Sequence, residues 1–193
     1  MSSRARRMCP TLVFLAFATI ALAGCKLEYD GEEFSLKIKP DGSGELAVTY
    51  LNFGSQETMS HLRRKDLDAL RDLAQNPEHV KKAAGDGVTI TSRRLDFVES
   101  AIHGYAEASA RQYADLFKVF TNYKLEISNK IYIIPMNGAV LRATLSEGGV
   151  ITVKNKRYAF AWPLEATDIS FKATYKTGGA RYIFDLEKQM EKK

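Results

Sequence analysis

Apolar and polar side chains alternate along Phe34-Ser35-Leu36-Lys37-Ile38-Lys39, the period of a strand with one buried face. Glu45-Leu46-Ala47-Val48-Thr49-Tyr50-Leu51 resumes a strand after the turn cluster Pro40-Asp41-Gly42-Ser43-Gly44, so residues 33–52 predict a β-hairpin. The period then lengthens. Leu62, Leu67, Leu70, Leu73 and Ala74 share one face of a helix over 60–75, while Arg63, Arg64, Lys65, Asp68 and Asp72 fall mostly elsewhere. Ser60 suits its N-cap. A second helix over 76–84 carries its own punctuation: Asn76 as cap, Pro77 first, Glu78 in the opening turn, Lys81 and Lys82 late, Gly85 as stop.

Val88 to Phe97 predicts a long strand whose parity changes near Arg93, as a bulge would make it. Ala101-Ile102-His103-Gly104 reads as a turn. Tyr105–Ala110 reads as a strand whose alanines let a helix pack close. Residues 112–121 read as a short helix with Tyr113, Leu116, Phe117 and Phe120 inward. The signal is β from there on. Tyr123–Ile127 and Lys130–Ile134 flank Ser128-Asn129, Ala139–Leu145 precedes the turn Ser146–Gly149, and Val150–Lys154 and Arg157–Trp162 flank Asn155. Ile169–Tyr175 alternates most clearly. After Gly178-Gly179, Ile183, Leu186 and Met190 keep helical spacing in a charged C-terminal helix. Strands and helices without βαβ alternation predict an α+β fold. The expected form is a mainly antiparallel sheet with helices 60–75 and 76–84 on one face, a short helix near 112–121 and the C-terminal helix, in one domain over 33–193.

The first residues change the picture. Arg4, Arg6 and Arg7 precede the apolar run Leu12–Ala23, and no acid occurs before Cys25. As a helix those twelve residues reach about 18 Å, short of the roughly 30 Å of a hydrocarbon core. That length fits a signal-peptide core better than a membrane span. Leu22-Ala23-Gly24-Cys25 closes the run and resembles the lipobox of bacterial lipoproteins. The resemblance implies residues 1–24 as signal peptide, cleavage between Gly24 and Cys25, and lipidation of the Cys25 sulfur by diacylglyceryl, followed by acylation (for instance palmitate) of the new amine. Residues 25–32 would then be the lipidated anchor and a short linker. Lys26 stands where aspartate favours inner-membrane retention, so in a diderm cell the outer membrane, facing the periplasm, is expected.

Composition removes several classes of function. The formal charge of +5 falls to +2 once the three leader arginines are gone, too balanced for a nucleic-acid partner. Of the two cysteines, Cys9 belongs to the leader and Cys25 would be acylated, which leaves no thiol for a disulfide, a thiolate metal site or a nucleophile. A chain of this length with 45% hydrophobic residues must rest on its apolar core.

Candidate chemistry is sparse. Phosphate-loop, dinucleotide, zinc-protease and nucleophile-elbow motifs are missing from the sequence. His61, His79 and His103 lack a second histidine three or four residues away. His103 has Glu99 four residues before and Glu107 four after, a geometry in which a carboxylate could orient an imidazole base. Asp66/Asp68, Glu32/Glu33 and Asp96/Glu99 are acid pairs of the kind hydrolases use. Tyr105, Tyr113, Tyr132, Tyr158, Phe160 and Trp162 could line a pocket, though aromatic strand residues ordinarily fill cores. Asp41, Ser43 and Glu45 begin like a calcium loop, but the twelfth position is Asn52 rather than glutamate. No metal, cofactor or catalytic residue is expected.

The order of Cys25, strand 34–39, turn 41–44, a second strand and a helix from 60 also resembles mycobacterial LppM-like lipoprotein domains over residues 25–75. That resemblance implies a membrane-proximal domain with lipid binding and transfers no functional residue. Three functions follow in rank. The first is a non-enzymatic, membrane-anchored envelope lipoprotein that contacts an envelope protein. A carrier of a lipid or other apolar ligand comes second, and an envelope hydrolase third.

Overall fold

In the computed structural model, which describes residues 27–98, 101–136, 139–154 and 157–176, the expected hairpin extends at both ends. The strands are β1 (Leu27–Glu28), β2 (Gly31–Ile38) and β3 (Gly44–Ser55). Phe34 and Leu36 point inward with Leu46, Val48 and Tyr50, as their alternation requires. Within the stretch 25–32 expected as anchor and linker, residues 27–28 and 31–32 are strand: β1 pairs with the end of β3, Leu27 opposite Ser55, and β2 starts at Gly31.

Helices α1 (Ser60–Gln75) and α2 (Pro77–Gly85) follow. Asn76 accepts the Glu78 amide at 3.0 Å and Pro77 opens α2, as its punctuation predicts. Ser60 is already inside α1, whose N-cap is Met59 without a side-chain bond. Met59 is stiffened instead by its carbonyl, which accepts the Leu62 and Arg63 amides.

The long strand β4 (Val88–Val98) shifts register between Ile90 and Ser92, the anticipated bulge two residues early. Its partner β5 spans Ala101–Ala110, so residues 101–104 are strand rather than turn. A 3-10 turn (Tyr113–Asp115) and α3 (Leu116–Val119) take the place of the single short helix. The remaining strands are β6 (Glu126–Ser128), β7 (Ile131–Pro135), β8 (Val140–Leu145), β9 (Val150–Lys154), β10 (Arg157–Pro163) and β11 (Asp168–Tyr175). Asn129 and Lys130, both at positive φ, form the β6–β7 turn, one residue past the predicted pair. The predicted C-terminal helix lies outside the described residues.

The described residues form two antiparallel sheets, and with the helices these make an α+β fold. The large one runs β4-β5-β3-β2-β11-β8 with β1 beside the end of β3, and the small one runs β6-β7-β10-β9. Inward residues form rows across the large sheet, such as Phe171, Phe34, Val48 and Ala106. The small sheet packs over the β2–β11 half of that face, where the Phe160 ring meets Phe171 at 5.0 Å. Over the other half, Leu67, Leu70 and Ala83 of α1 and α2 join the same core. Ala106, Ala108 and Ala110 on β5 keep that half low enough for the helices to approach. Among the described residues, no helix is long and apolar enough to cross a membrane.

Candidate functional site

With every described helix and the second sheet on the inner face, the outer face of the large sheet carries polar residues at the alternate positions. Antiparallel sheets tolerate this, because one face can stay in water. Cross-strand pairing sorts the residues into rows. One runs Thr144, Lys172, Glu33, Thr49, Tyr105, Arg94, and the next Ser170, Ser35, Ala47, Glu107, Ser92. Small side chains at Ser35, Ala47, Thr49 and Ser170 leave a groove of about 540 Å³ along the centre. Lys172 pairs with Glu33 at one side of it. Towards β4, Tyr105 donates to Glu107 Oε2 at 3.0 Å, and the Arg94 guanidinium lies 4.1 Å from the Tyr105 ring centroid. Arg94 Nε also reaches both Asp96 oxygens, at 2.9 and 2.8 Å. A second groove, about 500 Å³, lies at the far end of the sheet beside Lys39, Glu45, Thr89 and Arg111.

The sequence-predicted candidates scatter. His61 is exposed at the start of α1, and His79 Nε2 lies 3.0 Å from Asp72. His103 is half-buried on the outer face opposite Asp96, not in a turn. Its flanking Glu107 is engaged by Tyr105, and Glu99 is outside the described residues. The acid pairs separate. Glu32 and Glu33 are neighbours in a strand and therefore face opposite ways. Asp66 is 1% exposed and accepts from Ser55 Oγ at 2.6 Å, whereas Asp68 faces water near Arg71. Asp41 accepts from Ser43 N and Oγ within its own turn, and Glu45 is held by Lys39. Tyr132, Phe160 and Trp162 are core, with Trp162 Nε1 donating to Ser146 Oγ at 3.0 Å. Tyr113 packs edge-on to Tyr132, and Tyr158 is exposed. Cys25 and Gly24 lie outside the described residues.

One polar cluster has no counterpart in the sequence reading. Glu32, 3% exposed, points into the core. Tyr123 donates to its Oε2 at 2.8 Å, Tyr29 to the same oxygen at 3.4 Å, and Tyr175 to Oε1. Tyr50 lies opposite Glu32 on β3 and packs its ring 4.9 Å from Tyr29. Burial pushes the Glu32 carboxyl above its ordinary value, against the three phenol donors that stabilise its charged form. The same burial, with the adjacent carboxylate, raises Tyr29, Tyr123 and Tyr175. These donors come from positions 29 to 175, so no local spacing announces them. The packing around them makes the cluster a structural tie between β2, β11 and the segment after α3. Comparison with known proteins adds no relative: no family model, curated protein or solved structure matches the chain.

Proposed function

We propose that this chain is a membrane-anchored bacterial lipoprotein whose folded domain is a non-enzymatic interaction module of the cell envelope. The observation that carries the reading is the uncovered outer sheet face with its central groove, opposite a face filled by helices and a second sheet. Glu33, Thr144, Ser146 and Lys172 beside a floor of small side chains suit a segment of another envelope protein with polar groups, with charge of both signs at Glu33 and Lys172 in the groove and at Arg94 and Glu107 on the same face beyond it. The acylated Cys25 would hold this surface outside the cytosol, at the outer membrane in a diderm cell. The apolar-ligand alternative has less support. Leu67, Leu70, Leu46 and Val48, which would have to part around a ligand, are fully buried in one cluster. A hydrolase reading suffers from the dispersal of its histidines and acids.

The test places a photo-crosslinking residue at Ser35 or Thr49 in the groove, and a control at exposed Lys81 on α2, in the producing bacterium. Discrete adducts from 35 and 49, missing from 81, are expected. Adducts no different from those at 81 would overturn the assignment of this face.

A further inference from the structure

The end of the large sheet where the chain enters combines three features that the fold itself does not need. It carries the attachment point, exposed apolar side chains and a basic helix start. Only Lys26 separates Cys25 from β1, so the tether spans at most about 7 Å from Cys25 to Leu27. Leu27 pairs with Ser55, the last residue of β3. Two residues back on β3, Phe53 pairs with Ile102, which pairs in turn with Phe97. Phe97 and Val98 thus close the same end of the sheet, and they are 47% and 49% exposed.

The first turns of α1 extend past that end. Ser55 Oγ holds Asp66 at 2.6 Å, level with the last residue of β3. From there the helix runs back along the sheet until the carbonyl of Asn76 accepts Arg93 Nη2 at 2.8 Å, in the middle of β4. Residues 60–65 consequently project by about 9 Å at 1.5 Å per residue. The segment leading into them is pinned. Ser55 Oγ accepts the Glu57 amide at 3.1 Å, and Arg63 Nη1 donates to the carbonyls of Thr58 and Glu57 at 2.6 and 3.3 Å. Those bonds present Met59 to solvent at 58% exposure. His61, Arg64 and Lys65 are exposed just behind it, and the first turn of α1 contains no acid. Among the described residues, the carboxylates beside this projection, Glu57 and Asp66, are buried, Glu28 on β1 is half-buried, and Asp96 on β4 is held by Arg94.

We infer that this end of the domain, with Met59, Phe97 and Val98 as apolar contacts and Arg64 and Lys65 as cationic ones, seats directly on an anionic phospholipid surface. The inference rests on the lipoprotein reading for its tether length. Apolar tips enter the interface while lysine and arginine meet the headgroups, the division of labour of interfacial membrane elements. The groove on the outer sheet face then rises from the bilayer at a fixed orientation, with the β2–β3 turn at Asp41 farthest away.

The full chain is processed in a bacterium, purified and reconstituted in vesicles of phosphatidylglycerol and phosphatidylcholine bearing a headgroup-level nitroxide. Fluorophores are placed on M59C, F97C and D41C, and mass spectrometry reads the lipid on Cys25. Quenching at 59 and 97 without quenching at 41 is expected. It should drop at both positions in R64E/K65E, with the lipid on Cys25 unchanged. Lipidated Cys25 with all three labels equally unquenched would overturn the seat and leave the anchor standing. Cys25 without lipid but with 59 and 97 still quenched would support the seat and remove the anchor. Neither lipid nor quenching would remove both. Unaltered quenching in R64E/K65E would overturn the cationic contact.

Discussion

A carboxyl group with four tyrosines around it can be held charged by donors or neutral by burial, and at Glu32 the two influences oppose each other. The phenols of Tyr29, Tyr123 and Tyr175 favour the carboxylate, but removal from water outweighs them and raises the affinity for a proton. The consequence for stability has a definite sign. A group bound more tightly to its proton in the fold stabilises the fold fully below its unfolded value of 4.5, and that contribution is lost as pH rises through the higher folded value. Asp41, Glu45 and Asp72 shift the opposite way, held low by Ser43, Lys39 and Asn76 respectively, so their contribution is complete by about pH 5 and cannot mask the effect above it. Urea unfolding of the native chain and Glu32→Gln between pH 5 and 8 should therefore diverge. The native chain loses up to about 1.4 kcal/mol per pH unit between the unfolded value and the raised folded one and levels off above it, while the variant lacks this loss. A constant difference between the two across the range would show that Glu32 does not titrate there.

At the scale of elements, what the sequence reveals is what local chemistry determines. The hairpin around Gly42, helix α1 and the boundary of α2 at Asn76-Pro77 all follow from spacing and capping within a few residues, and all form where expected. Ala101-Ile102-His103-Gly104 reads as a turn in the sequence, yet it is the start of β5. In the sheet Gly104 pairs with Tyr50 on one side and Leu95 on the other, so tertiary pairing overrides local propensity. The Glu32 cluster stayed hidden for the same reason, since its donors meet only after β11 has paired with β2. Gly44 shows how such a long-range contact constrains one residue. A Cβ there would lie 2.6 Å from Tyr113 Cβ and 3.0 Å from its Cα, where the 3-10 turn crosses the start of β3. The Gly42 carbonyl accepts the Tyr113 amide at 3.0 Å, so the turn cannot simply lift away. Gly44→Ala should cost about 1–3 kcal/mol, the range for forcing atoms into a packed site. Thermal or urea unfolding measures it, and a loss within about 0.5 kcal/mol, the usual range for surface changes, would mean the turn yields freely.

For the whole molecule, connectivity decides how a tether acts. β2 follows Cys25 closely and lies inside the large sheet between β3 and β11, and β1 extends its line at the end of β3. An anchor at Cys25 would thus pull on the centre of the sheet, not on a loose arm, and its loss should release the entire domain. Each buried methylene contributes about 0.8 kcal/mol to attachment, so one acyl chain holds marginally and two or three hold firmly. In Cys25→Ser the acceptor sulfur is gone. The apolar run left in an uncut leader, about 18 Å as a helix, is short for a stable span. Metabolic labelling with a fatty acid should mark the native chain and not the variant, and membrane flotation should shift the variant into the soluble fraction. Equal labelling of both would refute acylation at Cys25. Loss of label with full membrane retention would instead assign the attachment to the protein surface, Met59, Phe97 and Val98 foremost, and the orientation of the sheet would then be set by that surface alone.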